Sequence, residues 1–316
     1  MTPPDFAKFN HVDNIHQKFS ISQIESNLKG FLDWSFLQAD GYVNISRASG
    51  VPSGMYTLKP CPSPTQVAPS NSTKCWEGPV KDWVWEKNTS NAPTGILGLN
   101  GIYLNNTFLP APSGSGNYSY SINYPLGQIV FNQPVSINSK IQLDYSYRYL
   151  QIYKSEDSAW WKELEKATYY STELNYSHLL SAHRVQPPFI MIELIARNNQ
   201  EAYELGNTKN MITQDVLLHI FTENIVQRNT ISDILLTQKD KTIVLYDINK
   251  VVKNAKYGIK YDGQKNPSGM NYSQIVSDPE YQYKISYIKS ADIVEMNNFT
   301  TTLYNSVVRW SLKIFP

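Results

Sequence analysis

Histidines are the side chains in this chain best suited to metal binding or proton transfer, and their spacing favours neither. Two imidazoles on one helix reach a common metal ion at positions i and i+4. The N-terminal pair and the middle pair are instead each five residues apart, and the fifth histidine alternates with Leu217 and Phe221 as a structural histidine on a strand does. The sequence therefore predicts no metal site. The five residues are His11, His16, His178, His183 and His219.

Acid–base catalysis needs paired carboxylates in a cleft, and four acidic residues lie beside apolar or aromatic side chains: Glu77, Glu86, Glu193 and Asp215. A position at a strand edge or subunit interface, paired with Arg197 or Arg228, explains the last two more simply. Because the chain also lacks nucleophile-elbow, C-x-x-C and phosphate-binding glycine motifs, we expect no catalytic residue, no cofactor and no enzyme.

Three tryptophans lie close together in the sequence, at Trp76, Trp83 and Trp85, with Glu77 and Glu86 beside them. Such rings could stack on sugars and so form a glycan-binding site. They are more typical of the core of a small β-domain that is poor in aliphatic residues. The sequence leaves both interpretations open.

Two cysteines, Cys61 and Cys75, lie in a Pro/Ser-rich region that bends freely enough for them to pair. The first residues carry neither the basic nor the apolar segment of a secretory signal. We therefore expect reduced thiols in a cytoplasm rather than a disulfide.

Composition limits the partners that the chain can have. The net charge of +1 over 316 residues is unlike that of a free-standing nucleic-acid binder. No apolar run approaches the roughly 18–20 residues that would span a membrane, so no membrane partner is expected. Tyrosine (22) outnumbers phenylalanine (11), which fits either contact surfaces or a β-rich fold.

The N-terminal residues predict helices. Apolar positions recur at helical spacing over residues 14–30, and Gly30 is a natural C-cap. A second helix is expected over residues 31–41, where Gly41 stops it. Together they form an N-terminal helical segment, residues 1–40, that we expect to pack on the C-terminal domain.

Residues 41–154 predict an inserted all-β module. Eleven of the 18 prolines lie between Pro52 and Pro134, separating short strand-like pieces. In KIQLDYSYRY, alternation places Leu143, Tyr145 and Tyr147 on one face and Ser146 and Arg148 on the other. Short strands separated by turns are typical of a small antiparallel sandwich or barrel.

Residues 155–316 predict an α+β domain, a mostly antiparallel sheet with helices packed on it. A helix is expected from Ser155 to about Tyr170, because acidic residues follow a serine suited to N-capping. The remaining predicted elements are a β-hairpin (187–197 and 211–223), a helix (224–238), a short strand (241–247) and a final strand pair (281–296 and 301–315).

Several stretches resemble a family of tailed-bacteriophage virion proteins: FLDWSFLQADGYVNI, CWEGPVKDWVWE, GIYLNNTF and YSINYPLGQIVFNQPVSINSKIQLDYSYRYL, then PPFIMIELIARNNQ onward. The likeness covers roughly residues 30–250 and rests on aromatic and turn positions. The second half is also similar in layout to tail-terminator and head–tail joining proteins, with a hairpin, a helix and a return strand. The family offers no active-site residues to carry over.

The resemblance implies a structural protein that forms an oligomeric ring, a hexamer or another number of copies, at the neck of the virion. It would be a head–tail connector or a tail terminator or completion protein, located at the head–tail junction and in the host bacterial cytoplasm during assembly. Other neck and tail proteins would be its partners, and genomic DNA would pass only transiently through the lumen.

Interface candidates follow from that role. Arg148, on the polar face of its strand, is the first, and we expect Arg148→Glu to leave the monomer folded while impairing assembly. The alternative is a receptor- or glycan-binding baseplate or fibre protein, for which Trp76, Trp83 and Trp85 are the candidate residues. The interface candidates are Arg148, Tyr149, Tyr153, Arg197, Tyr203 and Arg228.

Overall fold

A computed structural model describes residues 20–61, 72–111, 118–155, 186–203, 210–298 and 303–315. Within these ranges the chain is α+β with mostly antiparallel sheets, as predicted. The helices are α1 (Ser20–Gln38), α2 (Ser53–Tyr56), α3 (Ile225–Leu236), α4 (Ile248–Lys253) and α5 (Tyr272–Ser277), with 3₁₀ turns at Ser72–Lys74 and Glu86–Asn88. None of the described helices is long and apolar enough to cross a membrane.

The strands fall into two groups along the chain. The first ten are β1 (Tyr42–Ile45), β2 (Lys59–Pro60), β3 (Cys75–Glu77), β4 (Gly101–Leu104), β5 (Thr107–Pro110), β6 (Tyr120–Asn123), β7 (Gln128–Phe131), β8 (Ile141–Gln142), β9 (Tyr145–Arg148) and β10 (Gln151–Lys154). The other five are β11 (Phe189–Ala202), β12 (Asn210–Thr222), β13 (Thr242–Tyr246), β14 (Gln282–Asn298) and β15 (Tyr304–Phe315).

The N-terminal residues form one helix where the sequence predicted two. Helix α1 runs through Gly30 without a break. A glycine suits this position because a Cβ atom there would lie 3.1 Å from Cδ2 of Tyr272. Gly30 is thus a packing position and not a cap. The helix ends where Asp40 takes a left-handed conformation (φ 57°) and the Gly41 N–H donates to the Phe36 carbonyl (2.8 Å), the geometry of a Schellman cap.

A six-stranded sheet contains the larger core. Its strand order is β10-β11-β12-β15-β14-β13, and every pair is antiparallel except β10 with β11. Helices α1 and α3 pack on one face, because both present apolar side chains at helical spacing to the apolar side of the strands. The centre of this core includes Leu28, Leu32, Leu218, Leu235 and Trp310.

The hairpin, helix and strand pair predicted for the C-terminal half are confirmed by β11–β12, α3 and β14–β15. The short strand predicted at 241–247 is β13. The helix predicted from Ser155 to about Tyr170 lies almost entirely outside the described residues.

The module consists of three small sheets around one core. Their strand orders are β2-β3-β7-β6, β5-β4-β8 and β1-β9. Two of the strand-like pieces are only partly extended. In GMYTLKP (54–60) a helical turn at Ser53–Tyr56 precedes β2, and in DWVWEK (82–87) a 3₁₀ turn begins at Glu86 after a single bridge from Trp83 to Tyr147. The predicted long closing strand is divided into β8, β9 and β10, and β10 leaves the module to join the six-stranded sheet.

Cys61 and Cys75 form a disulfide, so the prediction of reduced thiols is wrong. Strands β2 and β3 pair antiparallel, and the Cys61 N–H donates to the Cys75 carbonyl (2.9 Å), which places the two residues directly opposite each other with Cα atoms 5.5 Å apart. Both residues pack against Val130 in a small buried cluster. The pairing of β2 with β3 brings the two cysteines together, and their spacing in the sequence does not show this pairing.

Candidate functional site

Arg148 lies in a buried charge cluster, which corrects its assignment as a surface contact. Only 8% of the residue is exposed. Its guanidinium forms an ion pair and hydrogen bond with the equally buried Glu86 and lies 3.5 Å from the Asp82 carboxylate. The loop that carries these carboxylates pairs with the edge of β9: the Arg148 backbone N–H donates to the Asp82 carbonyl (3.0 Å), and the Val84 backbone N–H donates to the Ser146 carbonyl (2.8 Å). Arg148 is therefore unavailable to a neighbouring copy.

Helix α1 adds a third carboxylate to this charge cluster. Burial, reinforced by Asp82 and Glu86 and opposed by Lys29 and Arg148, raises the pKa of Asp33 to about 6. Burial also raises the pKa of Glu86, although Arg148 and two backbone N–H groups oppose it. Burial lowers the pKa of Arg148 while the three carboxylates raise it, and the net shift is upward. Arg148 thus stays charged beside the three carboxylates, and Asp33 takes up a proton at a higher pH than an exposed aspartate does.

A cleft of about 230 Å³ opens beside these charges. Helix α1, the module and the segment after α4 all line it, and this segment packs closely on the module: Gly258 lies against the Trp85 indole, and Asn271 donates to the Ser90 carbonyl (2.8 Å). Among the described residues, no group of three His, Cys, Asp or Glu side chains could hold a metal ion. The charge cluster and cleft therefore form a junction that joins three parts of the chain.

Trp76 and Trp83 are buried in the module, and Trp83 and Trp85 both line the cleft. Trp76 and Trp83 are each 1% exposed and donate their indole N–H groups to the carbonyls of Thr73 and Val80 (both 3.0 Å). Trp83 also packs on Tyr145, with ring centroids 4.9 Å apart. Neither ring can stack on a sugar. Trp85 is half-buried and lines the cleft.

Two other interface candidates make contacts within the chain. Tyr149 is 38% exposed, and its hydroxyl accepts a hydrogen bond from Gln227 on α3. Tyr153 is half-buried, packs edge-on against Phe189 (6.1 Å between centroids) and has the Lys29 ammonium 5.6 Å from its ring. Tyr153 is thus an internal packing residue, and Tyr149 keeps only part of its ring free.

Arg228 is also internal. The residue is 8% exposed, and its guanidinium donates to Asn229 (3.0 and 3.2 Å) and Asn298 (3.5 Å) and lies 6.0 Å from the Tyr304 ring. It therefore fastens α3 to the ends of β14 and β15, which corrects its assignment as a surface contact.

The remaining two candidates lie at the opposite end of the sheet. Tyr203 is 47% exposed and touches Phe315 edge-on (6.2 Å between ring centroids). Arg197 belongs to β11, but its side chain is outside the described residues. Of the six interface candidates, Tyr203 is the one with a largely exposed described side chain, and it follows directly after β11.

Side chains seal the outer edges of the two short strands at the margins of the sheet. Asn27 of α1 acts on β13 as a further strand would: its side chain accepts from the Tyr246 N–H (2.7 Å) and donates to the Tyr246 carbonyl (2.9 Å). The Tyr272 hydroxyl donates to the Val244 carbonyl on the same edge (3.2 Å). On β10, Lys29 donates to the Ile152 carbonyl (2.6 Å). Backbone groups that would otherwise attract another strand are satisfied at these positions.

The longer strands keep open edges. Strand β13 and the residues just before it pair with β14 only as far as Ile288. No described strand lies on the same side of residues 289–298 of β14. Strand β10 pairs β11 only over Phe189–Ile192, and no described strand lies beside residues 193–202. Each open edge is thus ten residues long. On the β14 edge, Ile293, Val294 and Met296 are 40%, 54% and 43% exposed.

β-Bulges interrupt both open edges, between Leu194 and Asn198 on β11 and, on β14, both between Ile288 and Ser290 and between Ile293 and Glu295. The Gln214 side chain donates to the Ile195 carbonyl (2.7 Å) and so supports the first bulge. Bulges restrict which strands can add to an edge, so these edges favour a selected partner over random association.

The sequence contained a signal for the open β14 edge that the prediction did not use. The strand predicted at 241–247 is seven residues long, whereas its partner, predicted at 281–296, is sixteen. A short strand beside a long one must leave part of the long edge unpaired. Which strand borders which, however, is set by tertiary topology.

No family model matches the chain, and neither does any curated protein sequence.

Proposed function

We propose that the chain is a structural protein of a tailed-bacteriophage virion and forms an oligomeric ring at the neck, as a head–tail connector or a tail terminator or completion protein. The observation that supports this best is the pattern of sheet edges. Side chains seal the two short marginal strands, whereas two ten-residue edges stay open beside the described strands. Open edges are sites where another chain adds by backbone hydrogen bonds.

The positions of these edges support a ring in particular. The open edges belong to different strands on opposite margins of the sheet, so a contact between them is head-to-tail rather than two-fold symmetric. Head-to-tail contacts produce a closed ring when the rotation between copies divides a full turn. The exposed apolar side chains on β14 would lose contact with water in such a contact.

The resemblance of residues 30–250 to virion proteins supports the neck as the location of the ring, at the head–tail junction, after assembly in the host cytoplasm. Other neck and tail proteins would then be its partners. The net charge of +1 suits a lumen through which genomic DNA passes without being held. Two of the three tryptophans that motivated the alternative of a receptor- or glycan-binding protein, Trp76 and Trp83, are in the core, whereas Trp85 lines the cleft.

Electron cryo-microscopy of the purified virion, with this chain located in the map, tests the proposal. We expect several copies in a closed ring between head and tail. Copies found in the capsid lattice, on the baseplate or on distal fibres would contradict the neck assignment.

A further inference from the structure

The two open edges match in length and direction. Residues 193–202 of β11 and 289–298 of β14 each provide ten residues of edge that no strand of the described ranges pairs. Strand β11 is antiparallel to β12, β12 to β15 and β15 to β14, so β11 and β14 run in opposite directions. In copies related by rotation about an axis along the strands, β14 of one copy therefore meets β11 of the next as an antiparallel partner.

A stagger between copies allows the two edges to pair along their length. Within one copy, Gln200 and Ser286 lie at the same height in the sheet, because Gln200 pairs with Ile212, Ile212 with Ile314 and Ile314 with Ser286. If Glu201 faces Lys289 of the next copy, Gln200 faces Ser290. Because Lys289 is the extra residue of a bulge, Ser290 lies three ladder positions from Ser286, as Ser311 does from Ile314, and the offset is about 10 Å at roughly 3.3 Å per residue. In this register β13 of one copy and β10 of the next lie beyond opposite ends of the ladder. Staggered, tilted strands are also what a closed barrel of strands requires.

Charge and side-chain direction agree with this register. Glu201 and Lys289 are both exposed, have opposite charges and line the same surface depression on one face of the sheet, together with Thr213, Asp215 and Lys313. Residues directly opposite each other in an antiparallel pair place their side chains on the same face. The pair therefore meets the orientation that a cross-strand contact demands.

We propose that neighbouring copies of this chain join by antiparallel strand pairing between residues 289–298 of one copy and 193–202 of the next, with Lys289 facing Glu201. The partner is a second copy because this chain itself supplies the complementary edge, in length, direction and charge. That the copies close into a ring rests on the proposed function, whereas the strand pairing is inferred from the geometry of the sheet alone. The interface continues the six-stranded sheet from copy to copy.

Cysteine cross-linking of the purified full-length chain tests the pairing. Chains carrying Lys289→Cys are mixed with chains carrying Glu201→Cys and oxidised mildly, since facing residues on paired strands come within disulfide range. We expect a covalent dimer in the mixture and in neither chain alone. A dimer from Lys289→Cys alone would show two-fold β14–β14 pairing and overturn the proposal, as would the absence of any dimer in the mixture.

A charge-reversal cycle provides a second measurement. Lys289→Glu and Glu201→Lys each place like charges together, and we expect each to raise the concentration needed for half-assembly about tenfold. The double variant should assemble within about twofold of wild type, and circular dichroism of all three checks folding. Single variants that assemble normally, or a double variant that does not recover, would refute the pairing.

The two proposals fail separately. If the chain is located away from the neck but the mixed cross-link still forms, the neck assignment is rejected and the strand pairing is supported. A neck ring without the cross-link keeps the function and loses the pairing.

Discussion

At the scale of single residues, the main feature is Arg148 among three carboxylates. Its guanidinium interacts with Asp33 of α1 and with Asp82 and Glu86 of the loop after β3. One positive charge therefore compensates carboxylates that come from separate parts of the chain. Sequence alternation identified Arg148 as polar but not as buried. The distinction changes what a substitution there should do.

We expect Arg148→Glu to destabilise the protein and not merely its assembly. Breaking a buried ion pair leaves carboxylates uncompensated, which costs about 3–5 kcal/mol. The unfolding free energy from urea titration measures this. Arg309→Met is the matched control, because Arg309 makes a long, exposed ion pair with Asp292 (3.7 Å) and should cost under about 1 kcal/mol. An equal effect of the two variants would show that the Arg148 cluster is not a stabilising junction.

The raised pKa of Asp33 predicts a specific pH dependence. Because its pKa is about 6 in the folded protein and 3.8 for an ordinary exposed aspartate, the folded state binds more protons between these values. The contribution of Asp33 to the free energy of unfolding is therefore greatest below about pH 4 and decreases as the pH rises through 6. Between these pH values the free energy of unfolding of the wild type should fall by about 2 kcal/mol relative to that of an Asp33→Asn variant. A shift of one pKa unit corresponds to about 1.4 kcal/mol, and the group is only partly titrated at the two ends of the range. Parallel pH profiles of the two proteins would contradict the assignment.

At the scale of elements, α1 has two roles. Its apolar side packs in the larger core, while Asn27 and Lys29 bond to the edges of β13 and β10. The helix thus determines which edges of the sheet are closed, and the shortness of β10 and β13 determines which stay open.

Replacing Asn27 tests the sealing role. Asn27→Ala should cost about 2 kcal/mol, because it leaves the buried N–H and carbonyl of Tyr246 without their partner. Hydrogen exchange of the Tyr246 amide should accelerate correspondingly. Gln38→Ala, which removes one exposed hydrogen bond at the end of the same helix (3.1 Å to the Asn91 carbonyl), is the control and should change stability by less than about 0.5 kcal/mol. Unchanged exchange at Tyr246 would argue against the seal.

At the scale of the whole molecule, assembly should depend on where along β14 a charge is introduced. Val294→Lys, on the open section, should reduce assembly about tenfold or more by placing a charge in the contact. Ile285→Lys is the control, because Ile285 is similarly exposed (50%) but lies where β13 covers the edge. Sedimentation of both variants measures the difference, and equal assembly would exclude the open edge as the contact.

The sequence predicted the fold class and most elements of the C-terminal half, because alternation and helical periodicity are visible in β11, β12, α3 and β15. It did not predict the continuous α1, the disulfide or the burial of Arg148. The contacts at these places join residues that are distant in sequence: Gly30 packs against Tyr272, β2 lies beside β3, and the Asp82 loop pairs with the edge of β9. The open edges depend in the same way on which strands become neighbours.

The bond between Asn27 and Tyr246 has a consequence for the order of folding. The two residues are 219 positions apart, so a helix that is synthesised early cannot complete its contacts until most of the chain has followed. Contacts this distant slow folding, since closing the intervening loop costs entropy before any contact forms. Until then the edges of β13 and β10 are as unpaired as those of β11 and β14. A chain that begins to associate before α1 docks has four edges to offer instead of two, and correct assembly therefore requires that folding finish first.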